Sequence, residues 1–422
     1  MEHVIHYIWK HKILKPDLKT TSGEKVEVID PGTYNRDEGP DFFNAKIKIG
    51  DTVWAGNVEI HDNASDWYRH NHQNNKAYDN VILHVCLNCD CNVTRPDGTA
   101  MPTLKIECPE HVRQNYDTLK SNDIFPACHT VIEKIPHIMR RSWLTYLQSE
   151  RLEQKAGAIG TMLEKQHGNM ENTFFIMLSR NFGFGVNSDA FQQWAASLPL
   201  RAVDKHRDNL MQVESIFFGM AGLLDAPDGD PYRDRLKEEF AYLSHKFSLA
   251  APAPPQWKLL RMRPDNFPHI RIARLAAIYH VHANLFSRFM TASYPEGMQE
   301  LLDVKLSDYW DTHYTFGRET GNSRRHVSRQ TIDLIAINTI VPFMYVYGKQ
   351  KGTEDTDAKI EKIMEAIPPE NNHITRSWSK TGIAIDNAAD SQAIIQLTKN
   401  YCMQRKCLFC RFGYEFLKHK ES

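Results

Sequence analysis

Residues 39–61 of the chain read GPDFFNAKIKIGDTVWAGNVEIH. From 43 to 49 apolar residues alternate with polar ones, which is the period of a half-buried β-strand. A second alternating run covers 52–61, and the Gly-Asp pair between the two runs is a hairpin signal. The stretch therefore predicts two adjacent antiparallel strands that bring three polar side chains close together. These side chains are Asp41, Glu59 and His61.

Two carboxylates beside one imidazole form a suitable ligand set for a single divalent cation. The sequence predicts that Asp41 and Glu59 hold Mg²⁺ or Mn²⁺ at this position. His61 would ligate the same ion or orient a water molecule bound to it.

The order Pro-Asp at 40–41, a gap, and Glu-Ile-His at 59–61 resembles the signature of the PD-(D/E)XK phosphodiesterase superfamily, which includes restriction and repair nucleases. His61 stands where that superfamily usually has lysine. The superfamily core is a helix, a three-strand meander, a second helix and a further strand, and the first quarter of this chain is predicted to follow a similar order. The predicted elements are a helix over 1–14, strands over 24–30, 41–49 and 52–61, a polar crossover, and a strand over 80–87. The whole chain also resembles a family of uncharacterised bacterial proteins of similar length.

The resemblance implies a metal-dependent phosphodiesterase that acts on DNA or RNA. In such enzymes the cation lowers the pKa of a bound water, and the resulting hydroxide attacks phosphorus. An acid on the first helix often joins the metal site of this superfamily, which makes Glu2 a candidate ligand; an acid placed at the positive end of a helix is the alternative explanation. Because neutral His61 lacks the permanent charge of a lysine, a catalytically inactive binding or scaffold protein with the same fold is an alternative function.

Three further histidines follow the predicted hairpin. His70 and His72 lie in the polar crossover, and His84 lies on the predicted strand over 80–87. Each is explained either as a buried or solvated side chain or as an additional ligand of the site. Together with Glu59 and His61 they also suit a transition metal in a β-rich enzyme of another kind, which is a third candidate function.

The most specific metal motif lies near the C-terminus, where three cysteines have the spacing C-x4-C-x2-C. These are Cys402, Cys407 and Cys410. Three thiolates within nine residues usually hold a metal ion or cluster, and Cys128 is the preferred fourth ligand because it lies at a predicted domain junction. His419 or Cys108 could substitute for it. Zn²⁺ and a 4Fe-4S cluster both accept four thiolates, and packed free cysteines are the alternative. The layout resembles nucleases of the same superfamily in which one distant and three clustered cysteines hold an iron–sulfur cluster.

The composition indicates a soluble globular protein. The chain has 422 residues, a formal net charge of −1 and 41% hydrophobic residues, which predicts two or three domains with substantial cores. The N-terminus lacks the basic-then-apolar pattern of a signal peptide, and the longest apolar run, 332–346, is interrupted by Asp333, Asn338 and Pro342. The sequence therefore predicts a cytoplasmic protein that does not span a membrane.

The expected fold class is α+β. A mixed-sheet module is predicted over 1–125, a helical domain over 126–250, and a second helical domain with the cysteine motif over 251–422. The boundary near 250 rests on a proline-rich segment that is unlikely to be helical. The predicted helices of the middle domain cover 171–181, 188–197, 209–224 and 232–247.

Any nucleic-acid contact is expected to involve the later part of the chain. Residues 1–115 carry 13 Lys and Arg against 17 Asp and Glu, whereas the remainder carries 38 against 35. An acidic module binds cations but does not attract a polyanion by itself. Two basic clusters follow the proline-rich segment, and the planar guanidinium group suits phosphate; charged helix faces and loop ion pairs are the alternative. The predicted nucleic-acid-binding residues are Arg261, Arg263, Arg271, Arg274, Arg324 and Arg325.

Overall fold

The computed structural model of the protein describes residues 2–35, 37–95, 97–122, 124–225, 229–249, 255–321, 325–352 and 355–419. The chain divides into two compact units. The first comprises residues 1–143, 376–383 and 397–422, and the second comprises 144–375 and 384–396. The predicted fold class is confirmed, because a mixed sheet in the N-terminal part is followed by a large helical region.

Seven strands of the first unit form one sheet. In chain order they are β1 (Leu18–Lys19), β2 (Lys25–Asp30), β3 (Thr33–Tyr34), β4 (Phe42–Ile49), β5 (Thr52–Asn63), β6 (Val81–Asn88) and β7 (Thr103–Lys105). Their order across the sheet is β1-β2-β4-β5-β6-β7, and β3 pairs with β4. β5, β6 and β7 run parallel to one another, and the other pairs are antiparallel.

Helices make up most of the remaining described structure. In chain order they are α1 (Glu2–Lys10), α2 (Asp66–Arg69), α3 (Glu110–Ser121), α4 (His129–Ile132), α5 (His137–Lys165), α6 (Met170–Phe182), α7 (Ser188–Ser197), α8 (Leu200–Asp204), α9 (Leu210–Met220), α10 (Pro231–Phe247), α11 (Pro268–Val281), α12 (Leu285–Thr291), α13 (Glu296–Leu302), α14 (Tyr309–Thr312), α15 (Arg329–Ile335), α16 (Val341–Lys351), α17 (Thr356–Ala366), α18 (His373–Ser379), α19 (Ala388–Leu397) and α20 (Arg411–Lys418). Two short strands of the second unit, β8 (His313–Thr315) and β9 (Arg318–Glu319), form a separate pair.

The predicted hairpin is confirmed. β4 and β5 pair antiparallel with Ile49 opposite Thr52, and Gly50 forms the turn with φ +59°, a conformation that costs glycine little. Helix α1 packs on β5 and completely buries Ile8 and Trp9. The N-terminal helix therefore lies directly beside the strand that carries Glu59.

The second half of β5 is buried on both faces, which the alternating pattern alone did not predict. Ile60 faces the apolar core, whereas Glu59 and His61 on the opposite face are 5% and 1% exposed. The crossover between β5 and β6 covers this second face, since α2 packs on β5 and the His72 ring stacks on that of His61. Polar side chains are thereby enclosed within the unit instead of facing solvent.

The C-terminal cysteine segment belongs to the first unit, which corrects its prediction as part of a third domain. Helix α20 packs against α3 and α4. The Asn115 side-chain amide donates hydrogen bonds to the backbone oxygens of Leu417 and His419 at 3.3 and 2.8 Å, and the Tyr7 hydroxyl donates one to the Tyr414 oxygen at 3.3 Å. These contacts hold the end of the chain against its beginning.

The second unit has one apolar core, so the predicted division near residue 250 does not separate two domains. Phe217 before the proline-rich segment and Ile272 after it are both fully buried in the same cluster. A shared core of this kind makes the two flanking regions one folding unit. Residues 250–254 of the predicted boundary lie outside the described residues.

One helical stretch in the described part of the chain is long and apolar enough to cross a membrane. It covers Arg329–Lys351; its most apolar 18-residue window has a mean hydropathy of 1.3, and 67% of that window is buried. Burial inside the second unit is typical of the core helix of a globular protein, which is consistent with the predicted soluble protein.

Candidate active site and metal centres

Asp41 directly precedes β4 and Glu59 lies on the neighbouring strand β5, and backbone groups fix each carboxylate. The Asp41 backbone N–H donates to Glu59 Oε2 at 3.1 Å, and the Ile60 backbone N–H donates to Asp41 Oδ2 at 2.9 Å. The Glu59 carboxylate is therefore held by a donor directly before β4, and the Asp41 carboxylate is held by a donor on β5. The structure brings together the two carboxylates that the hairpin pattern had placed near one another.

Helix α1 adds two residues to this pair. His6 Nε2 lies 3.2 Å from Asp41 Oδ2 and 4.0 Å from Glu2 Oε1, and one potential ligand atom from each of the three residues lies within 4.8 Å of the others. The His6 side chain is only 8% exposed, and among the described residues neither of its ring nitrogens makes a hydrogen bond. A buried imidazole without a hydrogen bond is unusual, and a cation between these residues would be coordinated by one of the ring nitrogens.

Three histidines form a second group beside Glu59. Potential ligand atoms of His61, His70 and His72 lie within 4.8 Å of one another. Glu59 Oε1 lies 3.4 Å from His61 Nε2 and 3.2 Å from His72 Nε2, and neither of these nitrogens makes a hydrogen bond in the part of the chain that the structure describes. His84 is not a member of this group; its Nε2 lies 2.9 Å from His61 Nδ1 and fixes the ring from behind.

Burial shifts the protonation of both kinds of ligand. Burial, and after it the charge of Asp41, together raise the pKa of Glu59 to about 9. Burial also lowers the pKa of His61 to about 2, and of His72 and His84 to about 4, with neighbouring histidines acting in the same direction. At neutral pH the imidazoles are therefore in the neutral form that binds metals, whereas a cation would be needed to favour the Glu59 carboxylate.

The single predicted group is thus two groups joined by Glu59. Asp41 associates with Glu2 and His6 on one side, while His61 associates with the crossover histidines on the other. His6 is not among the predicted ligands, although its spacing of four residues from Glu2 places both on one helix face. That spacing was the signal for a shared site.

A family model described as "Protein of unknown function (DUF2851)" matches residues 2–373. The chain belongs to this family. The predicted resemblance to an uncharacterised family is therefore confirmed. No curated protein and no solved structure matches the chain. The matched range contains both ligand groups and Cys128, whereas the three C-terminal cysteines lie beyond its end.

The four predicted cysteine ligands line one cavity of about 260 Å³ in the first unit. Cys128 precedes α4, and the other three lie in the segment before α20. Helix α20 approaches this segment so closely that a Cβ at Gly413 would lie 2.1 Å from the Cys407 oxygen. Cys108 and His419, the alternative fourth ligands, are not among the residues that line the cavity.

Burial also governs the chemistry of these thiols. It raises the pKa of Cys410 to about 11, and it also raises the pKa values of Cys128, Cys402 and Cys407. Neighbouring thiols contribute to the raised pKa values of Cys128, Cys402 and Cys410. Without a cation the thiols would remain protonated at neutral pH. A metal that binds thiolates would displace those protons.

Three of the predicted nucleic-acid-binding arginines are buried in the second unit. Arg271 lies over the Phe184 ring at 4.6 Å, Arg274 donates to the backbone oxygens of Val304 and Arg325, and Arg325 donates through Nε to the Trp310 oxygen at 2.9 Å.

The guanidinium groups of Arg271, Arg274 and Arg325 serve internal packing and hydrogen bonding, so we correct their assignment to a phosphate-binding surface. Arg261 and Arg263 are exposed, and Arg324 lies outside the described residues.

Proposed function

We propose that the first unit is a metal-dependent phosphodiesterase that cleaves nucleic acid. The observation that carries this proposal is the pair of carboxylates formed by half-buried Asp41 and buried Glu59, which backbone hydrogen bonds hold beside His6. The ring nitrogens of His6 make no hydrogen bond among the described residues. Oxygen ligands at such a position suit Mg²⁺ or Mn²⁺. Glu2, Asp41 and Glu59 would hold the cation, with His6 as a nitrogen ligand that favours Mn²⁺.

The protein residues would divide the work of phosphodiester hydrolysis. When bound, the cation supplies a water of lowered pKa and neutralises charge that develops on the phosphate. Asp41 would orient the ligand set, because its Oδ2 is fixed by the Ile60 N–H. Neutral His61 would ligate a metal ion through Nε2, which makes no hydrogen bond among the described residues.

A cavity beside the site offers space for a substrate group. It has a volume of about 260 Å³, and its lining includes His72, Tyr78 and Arg95. Arg95 is partly exposed, and its guanidinium makes only long hydrogen bonds, of 3.3 and 3.4 Å, to backbone oxygens. A guanidinium in this position could also donate to a phosphate, since its planar fork carries five N–H donors.

Cleavage assays test this function directly. Protein dialysed against a chelator and then supplied with Mg²⁺ or Mn²⁺ should cut DNA or RNA, and Asp41→Asn should lower the rate about 100-fold, as expected when a ligand worth about 3 kcal/mol in the transition state is lost. Glu27→Gln is the matched control, because it changes an exposed carboxylate of the same sheet and should cut like the parent. If no nucleic acid is cut with either metal, or if Asp41→Asn equals the control, the enzymatic proposal fails. Nucleic-acid binding that persists in Asp41→Asn without cleavage would indicate the noncatalytic scaffold.

We further propose that Cys128, Cys402, Cys407 and Cys410 hold a structural metal centre that fastens the C-terminal segment to the first unit. Their common cavity of about 260 Å³ has room for either Zn²⁺ or a 4Fe-4S cluster. Anaerobic purification followed by assay of iron, acid-labile sulfide and zinc decides between the two. Cys402→Ser should lose the metal while Cys108→Ser retains it; equal metal content in both variants would overturn the assignment.

A further inference from the structure

We propose that the first unit also contains a transition-metal site, formed by His61, His70, His72 and Glu59 Oε1, so that Glu59 is shared between two metal ions. The histidine site is supported by its own geometry. Only the sharing of Glu59 rests on the proposed phosphodiesterase function, because that function assigns the second cation.

The first support is the convergence of nitrogen ligands. Three imidazoles each place one potential ligand atom within 4.8 Å of the others, and a carboxylate oxygen lies 3.2 to 3.4 Å from two of them. Three nitrogens and one oxygen complete the four-coordinate set that Zn²⁺ prefers. Imidazole ligands also suit iron and nickel, whereas they are poor ligands for Mg²⁺.

The second support is the absence of other partners for the ligand nitrogens. Nε2 of His61 and Nε2 of His72 are buried and make no hydrogen bond among the described residues. Buried polar atoms are rarely left in this state, because each unsatisfied group costs about 1–3 kcal/mol. A metal ion at the point where the two nitrogens approach Glu59 would remove this cost.

The third support is the group behind the ligands. His61 Nδ1 lies 2.9 Å from His84 Nε2, so the second nitrogen of the ligand ring is engaged and Nε2 is directed to the site. An imidazole that ligates a metal commonly has its other nitrogen fixed in this way. His72 is held by stacking on Tyr78, with ring centroids 3.8 Å apart.

Glu59 connects the two candidate sites through different oxygens. Oε2 accepts the hydrogen bond from the Asp41 backbone, and Oε1 faces the imidazoles. A carboxylate in this position can bridge two cations, an arrangement used by two-metal phosphodiesterases to stabilise both the attacking and the leaving oxygen. His70 is exposed and provides an entry route for the ion.

Cobalt titration of the chelator-treated full-length protein tests the histidine site. Co²⁺ is the probe because its visible d–d bands report nitrogen and oxygen ligands, and thiolate sites are distinguished by their near-ultraviolet charge-transfer bands. His70→Ala should weaken Co²⁺ binding at this site by about 100-fold or more, since even loss of a supporting group behind a ligand costs 10- to 100-fold. His137→Ala is the matched control, because it removes an exposed histidine of the same unit and should bind like the parent.

His70 is exposed, so its removal should leave the fold intact, which circular dichroism would verify. His72→Ala provides a second test at a buried ligand. If both variants bind Co²⁺ with the parent's stoichiometry and d–d spectrum, the transition-metal site is overturned.

The shared carboxylate requires a separate measurement. Glu59→Gln should weaken both Co²⁺ binding at the histidines and Mn²⁺ binding followed by electron paramagnetic resonance. Loss of Mn²⁺ binding with unchanged Co²⁺ binding would overturn the bridge. Protein that binds Co²⁺ at the histidines but cuts no nucleic acid would refute the proposed phosphodiesterase function while leaving the histidine site in place.

Discussion

Two buried glutamates, one in each unit, show how differently the same side chain can be accommodated. Glu59 in the first unit receives one backbone hydrogen bond and faces a second carboxylate and two imidazoles. Glu214 in the second unit is fully buried and accepts hydrogen bonds from the side chains of Tyr232, Ser307 and Trp310. Burial raises the pKa of Glu59 to about 9 but that of Glu214 only to about 7.

The difference lies in the neighbours. Three donors around Glu214 stabilise its charged form and limit the effect of burial, so the site is complete without a ligand. Around Glu59, a nearby carboxylate adds to the effect of burial, and the adjacent imidazole nitrogens lack hydrogen bonds. Burial of a charged residue is therefore a weak sign of function, whereas a buried charge among unpartnered ligand atoms is a strong one.

The largest expected effect is on stability and concerns the proposed metal centre at the cysteines. There a metal would complete a whole segment, as a cation would complete the Glu59 site. Cys402→Ser should lower the free energy of unfolding of the first unit by several kcal/mol, because metal binding free energy is also folding free energy. Chemical denaturation measures the loss, and hydrogen exchange should show it in α4 and α20. Cys108→Ser should change stability by less than about 1 kcal/mol, and an equal effect of both changes would refute a stabilising centre.

Replacing each glutamate by glutamine, its neutral isostere, tests whether only the Glu59 site takes part in cleavage. Glu59→Gln should reduce Mn²⁺-dependent cleavage about 100-fold, equivalent to about 2.7 kcal/mol in the transition state. Glu214→Gln should leave the rate unchanged, because its hydrogen bonds are internal to the helical unit. Initial rates on a fluorescent oligonucleotide measure both. Equal losses in the two variants would show that the contrast between the glutamates has no functional meaning.

Thermal melting tests whether the Glu59 site needs a cation. The folded-state pKa of this residue is raised, so its stabilising contribution is complete below pH 4.5 and is lost as the pH rises towards 9. In chelator at neutral pH, Glu59→Gln should therefore melt at the same temperature as the parent or higher. Mn²⁺ at 100 times its dissociation constant should stabilise the parent by about 2.7 kcal/mol. Stabilisation of Glu59→Gln to the same extent would contradict metal binding at this carboxylate.

The smallest expected effect is the pH dependence of Glu214. Its pKa rises from 4.5 to about 7 on folding, so its contribution to stability is complete below pH 4.5 and is lost as the pH rises through 7. Over that interval the free energy of unfolding of the parent should fall by about 3 kcal/mol relative to Glu214→Gln. Urea denaturation of both proteins at several pH values measures this difference. A constant difference across the interval would show that Glu214 does not titrate on unfolding.

Several parts of the fold followed from local pattern. The hairpin of β4 and β5 was predictable because its alternation and its Gly-Asp turn lie within 23 contiguous residues. Helices α6, α7, α9 and α10 were found within a few residues of their observed ends. The burial of Arg271 and Arg274 was missed, although helix α11 is apolar on nearly every side apart from them, which is typical of a core helix.

The candidate site was only partly predictable. The acidic pair was visible as a motif, but the partner of each carboxylate depended on which face the first helix and the crossover present to the sheet. His6 and Asp41 are 35 residues apart in sequence yet have atoms 3.2 Å apart. The predicted domain boundary near residue 250 does not separate two cores, because a proline-rich segment indicates only a break between helices. A domain is defined by a shared core.

By itself, the sequence determined the paired strands β4 and β5, the helices α6, α7, α9 and α10, the two carboxylates and the spacing of three cysteines, because each depends on residues that are close along the chain. Only the tertiary structure decided that Glu59 stands between two ligand groups and that Cys128 lines the same cavity as three cysteines more than 270 residues away in sequence. These features depend on which segments, distant in sequence, pack against each other and bury their apolar surfaces. Such packing is a property of the whole fold, and no local pattern encodes it.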